Sequence, residues 1–263
     1  MSDAVSTTDA IHALWDALAD IEISRVEHAR NRLLEGLCAL VDAQNASWVG
    51  AVRMDHAQPG DPVSGWRVRI SHRLHDNDTL HSAVREQTQN LDAGSVDLST
   101  IRNVSFAGTW RTRRLVDLVP PAWFEGDYYR NYYRGLGWLD AIWAGVPINR
   151  DTEIYFGLYR GLGQPWFSEA ERDIVAHALR GLRWFHRQQT LGHGLGIGVT
   201  PLTELERRVL SGLLEGLTDK QIAARLEMST HTTHEYASRI YRKFAVPNRS
   251  SLMALWLGRP VAD

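Results

Sequence analysis

The chain has 263 residues, is 44% hydrophobic and 23% charged, and carries a formal net charge of −2, a profile of an ordinary globular protein rather than a disordered, collagen-like or disulfide-rich one. Its one cysteine, Cys38, has no partner for an internal disulfide, which suits a reducing, cytoplasmic setting, and the acidic start, with Asp16 and Asp20 cutting the first apolar stretch, lacks the pattern of a signal peptide or membrane span. Spread evenly, so small a negative charge would argue against a nucleic-acid partner.

In chain order, Ile11, Leu14, Trp15 and Leu18 recur at helical spacing and predict a first amphipathic helix. Val26, Leu33, Leu34, Leu37 and Val41 predict a second, with Cys38 on its apolar stripe as a packing residue. Residues 46–54 and 65–71, rich in Val, Ile and Trp, read as strands. Residues 78–90 and 121–134 read as helices, the latter opened by Pro120-Pro121. Residues 138–148 and 153–160 form a strand pair around the turn Asn149-Arg150-Asp151. Ser168, followed by Glu169 and Glu171, starts a helix expected to reach about Arg187. The stretch 90–120 shows no defined element. The order is that of an α+β domain, an antiparallel sheet flanked by helices.

Residues 191–198 hold four glycines and read as a flexible linker. Their spacing is not that of a dinucleotide loop. They separate an N-terminal domain, 1–190, from a C-terminal domain, 199–263. Charge changes sign there. From Thr200 onward nine cations face seven anions, including both lysines of the chain, Lys220 and Lys243, whereas the rest holds 20 cations and 24 anions.

The C-terminal domain reads as four helices. Thr203 with Glu206, and Thr218 with Gln221, make capping boxes, and Ser229 caps a third helix running to about Phe244. The last helix starts near Asn248. Two short helices joined by a tight turn form a helix-turn-helix, whose second helix can enter a DNA major groove. At about 100° per residue, Thr233, Ala237, Ile240 and Phe244 make a buried stripe on that helix. His231, His234, Glu235, Ser238 and Arg242 lie opposite, and Thr232, Tyr236, Arg239 and Lys243 run along one flank. Such a helix presents donors to base edges and phosphates; a polar face alone is also what any solvated helix shows.

The full string, from Leu202-Thr203-Glu204-Leu205-Glu206-Arg207-Arg208 through Gly216-Leu217-Thr218-Asp219-Lys220-Gln221-Ile222-Ala223 to Ile240-Tyr241-Arg242-Lys243-Phe244 and Asn248-Arg249, resembles the LuxR/GerE-type DNA-binding domain over about residues 200–258. The resemblance implies a bacterial transcription regulator that binds double-stranded operator DNA as a homodimer, with RNA polymerase as a partner if it activates. By position it implies base reading by His234, Glu235 and Ser238. Backbone contacts would come from Lys220, Thr232, Tyr236, Arg239, Arg242 and Lys243. The fourth helix, through Leu252, Met253 and Trp256, would form the dimer contact. This chain departs from the pattern at Thr233, where Val is usual, and at Tyr236, where His is usual. Glu227 and Ala245 stand where glycines are common. A non-glycine residue in the left-handed region costs roughly 1 kcal/mol, so those turns are open to a different construction.

The run His231-Thr232-Thr233-His234-Glu235 has its histidines three apart with the glutamate outside them, unlike the zinc-hydrolase arrangement of two histidines four apart around a glutamate. No metal, cofactor or catalytic residue is assigned, and no enzymatic activity is expected. Ten tryptophans are many for this length. Trp48, Trp66, Trp110, Trp123, Trp138 and Trp143, with Tyr128 and Tyr132 spaced one helical turn apart, are candidates to line a small-molecule pocket; a packed aromatic core is the plainer reading. The element order, with the phrase Gly161-Leu162-Gly163-Gln164-Pro165-Trp166-Phe167-Ser168, looks like a GAF-type sensor domain. Around Trp123, Tyr128 and Asp140 the residue types of acyl-homoserine-lactone sensors occur at another spacing, so that ligand is not assigned. The expectation is a cytoplasmic regulator whose N-terminal domain answers to a small molecule, or, alternatively, only dimerises or holds a partner protein.

Overall fold

The computed structural model describes residues 6–54, 59–194, 202–244 and 246–256. The chain divides into two compact units, Met1–Leu18 with Asn31–Arg183, and Ala19–Arg30 with Trp184–Asp263. Each is assembled from two stretches of sequence.

In the first unit a five-stranded sheet has the order β2-β1-β5-β4-β3, and every neighbouring pair is antiparallel. The strands are β1 (Asn45–Arg53), β2 (Trp66–Arg73), β3 (Arg111–Arg114), β4 (Trp138–Pro147) and β5 (Thr152–Gly161). On one face lie α1 (Thr7–Ala19), α2 (Val26–Leu40) and α7 (Glu169–Arg180). Alternation along the strands sends Trp48, Phe156 and Leu158 to this face, where they are buried with Leu33, Leu34 and Val175. Trp15 donates to the Ala178 carbonyl at 2.8 Å, and a Cβ on Gly36 would meet Leu14 at 2.4 Å, so α1 and α2 pack with no room between them. Cys38 is buried here, its thiol pushed up to about 12 by burial and then by Glu35.

The other face is covered by α3 (Asp78–Asp92), α4 (Leu98–Val104) and α6 (Asp127–Tyr132), with α5 (Leu115–Leu118) following β3. Three stretches of the N-terminal part differ from expectation. The stretch 90–120 contains α4, β3 and α5. The helix expected at 121–134 is a 3-10 turn, Pro121–Glu125, then α6, because Gly126 is extended at φ −79, ψ 163 and restarts the chain as N-cap. The helix expected from Ser168 to Arg187 stops at Gly181, where a Cβ would lie 2.4 Å from the Trp15 ring, and α8 (Arg183–Gly192) follows.

The second unit is helical: α8 after its first residue, α9 (Glu204–Leu214), α10 (Asp219–Leu226), α11 (Thr230–Lys243) and α12 (Arg249–Trp256). Its core is Leu210, Leu213, Ile222, Ala237, Ile240 and Phe244, closed by Leu252 and Trp256 of α12. The segment Ala19–Arg30, which includes the start of α2, belongs to this unit. Ile23 packs on the core, the Ser24 carbonyl accepts from Ser211 at 3.2 Å, and the Val26 carbonyl from Gln189 at 3.0 Å. His193 Nδ1 faces the Gln189 carbonyl at 2.9 Å, so it carries the proton and leaves Nε2 to accept from Arg30 at 2.9 Å. Leu191 and Gly192, read as the start of a linker, are the last turn of α8; 195–198 lie outside the described residues.

Candidate functional site

The α10–α11 pair is built by local signals. Thr218 and Gln221 form the expected capping box on α10, and the Ser229 side chain accepts from Thr232 N–H at 3.0 Å to start α11. Between them Glu227 takes the left-handed conformation, φ 54 and ψ 42, with its N–H on the Ala223 carbonyl. The turn is therefore made in the way a glycine would make it, with the strain carried by a glutamate. Ala245, the second such position, lies outside the described residues.

On α11 the stripe Thr233, Ala237 and Ile240 is buried, which turns the opposite face outward. His234 and Glu235 are exposed and Ser238 is half-buried beside them. Two contacts orient the histidines: His234 Nδ1 is 3.1 Å from Asp219 Oδ2 at the start of α10, and His231 Nε2 is 3.6 Å from Glu235 Oε1. Lys220, Arg239 and Arg242 are exposed cations, and the Arg239 guanidinium lies 5.0 Å from the Tyr236 ring centroid. The Thr232 hydroxyl is 2.8 Å from that of the capping Ser229.

Two groups of the expected site lie elsewhere. Lys243 turns inward to Glu206, at 2.7 Å, and joins α11 to α9. Burial pushes the Glu206 carboxyl up, but Lys243 and the Thr203 N–H and hydroxyl outweigh it and hold it below the ordinary glutamate range. Leu252 and Trp256 fill the unit's own core, Trp256 edge-on to Phe244 at 5.3 Å, while Met253 is half-buried.

The sheet face under α3, α4 and α6 holds a cavity of about 260 Å³. Of the expected aromatics, Trp66, Tyr128, Tyr132, Trp138 and Trp143 line it. Trp48 does not: it points to the opposite face of β1 from Ser47 and Val49, which do. Trp110 packs under Arg180, 4.6 Å from ring centroid to guanidinium. Trp123 stands behind the wall, donating to Asp97 at 2.9 Å. Tyr133, Tyr155 and Tyr159 complete the aromatic lining; for the β5 pair the period-two spacing was the available signal. Ser47 and Tyr159 share a hydroxyl bond at 3.0 Å, Trp143 donates to Tyr133 at 3.2 Å and Gln87 to Tyr128 at 3.1 Å. Burial pushes the Tyr128 and Tyr133 phenols up, so both stay neutral donors.

A bulge shapes this wall. Ala51 pairs with Val68 but Gly50 with Ile70, so one extra residue of β2 reverses its alternation. Trp66 and Val68 before the bulge, and Ser71 and Arg73 after it, consequently line the same cavity, while His72 faces away to Asn31 at 2.7 Å. Past the cavity edge, Arg111 makes a buried two-pronged pair with Glu153 at 2.7 and 2.8 Å and a third bond to Asn103 at 3.0 Å. Asp140 is fully buried but outside the cavity. It accepts from the N–H groups of Ala141 and Phe167, both at 2.8 Å, and burial pushes it up to about 6 against those donors. Among the described residues no cluster of His, Cys, Asp and Glu would hold a metal ion, and no helix is long and apolar enough to cross a membrane.

Residues 200–256 match the family described as bacterial regulatory proteins, luxR family. The chain is 36% identical over 59 residues, 22% of its length, to a protein of Streptomyces halstedii described as a probable HTH-type transcriptional regulator, GfsR, and spans about a quarter (24%) of that relative. It is 24% identical over 187 residues to a protein of Aeromonas salmonicida described as an HTH-type transcriptional regulator in the exeN 3′ region, covering 60% of this chain and 92% of that one. Among solved structures, Escherichia coli SdiA aligns over 96% of this chain and 97% of its own, at 13% identity and a TM-score of 0.46.

Proposed function

We propose that this chain, whose residues 200–256 match the luxR family of bacterial regulatory proteins, is a bacterial, cytoplasmic transcription regulator that binds operator DNA as a dimer and answers to a small molecule held in its N-terminal unit. The observation that carries the DNA-binding half is the outward stripe of α11: His234, Glu235 and Ser238 on a helix whose other side is sealed in a core. That geometry suits insertion into a major groove, with base edges met by the stripe and phosphates by Lys220, Arg239, Arg242 and the flank at Thr232 and Tyr236. Lys243 is left out of the phosphate set because Glu206 already holds it. For dimerisation through α12, the half-buried Met253 is the candidate contact, since Leu252 and Trp256 are committed to the core.

The cavity favours sensing over a purely dimerising role. A domain that served only as a clamp would have no need of a 260 Å³ space with hydroxyls aimed along its wall. Selection of duplexes from a random pool by the full chain tests the whole reading. A dimer should enrich two related half-sites about 10 base pairs apart, centre to centre. Failure to retain any duplex at low salt would overturn it.

A further inference from the structure

Among the described residues two charged side chains line the cavity, Arg67 and Arg73, and both are cations. They differ in what holds them. Arg67 is neutralised, with Asp61 at 3.0 Å and Asp92 at 3.4 Å. Arg73 has no carboxylate within ion-pair distance among the described residues, and its Nη1 is shielded from solvent with no hydrogen-bond partner. Its guanidinium stands over the Trp138 ring at 5.1 Å and near the Tyr159 ring at 5.8 Å. Aromatic faces stabilise the positive charge of a stacked guanidinium but take none of its N–H bonds, which project from the edge of the plane. A buried donor left this way costs free energy that a bound acceptor would recover.

The rest of the wall says what else the acceptor carries. Ser47 is already bonded to Tyr159 and Trp143 to Tyr133; the Tyr155 hydroxyl has no hydrogen-bond partner among the described residues, and burial keeps it a neutral group rather than an anion. The remaining surface is largely ring and aliphatic carbon, from Trp66, Tyr128, Tyr132, Val49 and Val104. Among the described residues no carboxylate lines the cavity, so a ligand presenting a cation, or an amide N–H that needs an anionic acceptor, finds none there. Asp140, fully buried in β4, spends both oxygens on backbone donors outside the space.

We infer that the cavity takes a small apolar or aromatic molecule with an anionic head, a monocarboxylate being the simplest, its head on Arg73 and its body against the ring wall. This rests on the reading of the unit as a ligand-binding domain. A neutral carbonyl would also take an N–H from Arg73 but would leave its charge without a counter-ion; a carboxylate supplies both.

Matched probes test it in the full chain by quenching of tryptophan emission, since Trp66, Trp138 and Trp143 line the space. The probes are 4-phenylbutanoate, its amide 4-phenylbutanamide, and 1-octanol as a neutral apolar molecule. The acid should bind roughly tenfold more tightly than the amide, the difference between a charge-assisted and a neutral hydrogen bond. The ratio should fall to about one in Arg73→Met and survive in Arg73→Lys. Equal binding of acid and amide to the unaltered protein overturns the inference, whatever the variants do. Octanol binding while the acid does not overturns it too, yet leaves the cavity a ligand site. If none of the three quenches emission, the inference and the ligand-binding reading fall together.

Discussion

Lys243 Nζ lies 2.7 Å from Glu206 Oε2, joining the last turn of α11 to the capping box of α9. A lysine that the helical wheel assigns to the DNA flank thus serves the domain's interior. Lys243→Ala leaves Glu206, only 5% exposed at its side chain, without its cation, and should cost about 1–3 kcal/mol of stability. It should leave the salt dependence of DNA binding unchanged, whereas Arg242→Ala should lower that slope by about one unit. Chemical unfolding and a salt titration of DNA affinity check the two halves separately. The sign with pH follows: a glutamate held below its ordinary range stabilises the fold above that range, and the contribution is lost as pH falls through the depressed value.

Glu227→Gly should raise stability by about 0.5–1 kcal/mol. Relief of the left-handed backbone at φ 54 outweighs the extra freedom glycine gives the unfolded chain. A higher midpoint in thermal unfolding, with DNA affinity unchanged, is the expected result.

Glu235 projects from the outer face of α11, where a carboxylate can accept from the cytosine amino group. Glu235→Ala should lose about 1–3 kcal/mol of preference for a C·G pair at one half-site position and nothing elsewhere. Affinities measured on an operator series substituted base by base check it.

Asp140→Asn puts an amide N–H₂ against a backbone N–H, whichever way it turns, and should destabilise the first unit by about 1–3 kcal/mol. Because burial raises Asp140 to about 6, above the ordinary value of about 3.9, the folded state holds the proton more tightly than the unfolded chain. Its contribution to stability therefore falls as pH climbs from about 4 to about 6. The stability gap between wild type and variant should narrow over that window and stay level above it, as read by unfolding at a series of pH values.

What the sequence disclosed about this fold was what is encoded within a few residues. Ser168 with Glu171, Thr203 with Glu206 and Thr218 with Gln221 each close a capping box on themselves, and the apolar stripe of α11 needs only helical geometry. The features it hid depend on distant partners. β3, Arg-Thr-Arg-Arg, has no apolar alternation, and its buried member Arg111 is held by Glu153 on β5. At the end of α7 the distant residue Trp15 takes the Ala178 carbonyl, and the Leu182 N–H bonds to Leu179 instead. For the cavity, residue type was legible and direction was not. Trp48 and Trp66 look alike in sequence, and the faces they take are set by strand phase, which a bulge alters.

That bulge gives β2 a counting property. Arg69 is the residue left over between the Ala51–Val68 and Gly50–Ile70 pairs, so its removal would restore plain alternation and leave Ser71 and Arg73 on the cavity face. A deletion of His72, beyond the bulge, has no spare residue to absorb it and would carry Arg73 onto the opposite face, away from the wall. Loss of a single backbone unit is thus silent at one position of this strand and removes the Arg73 cation from the cavity three positions further on.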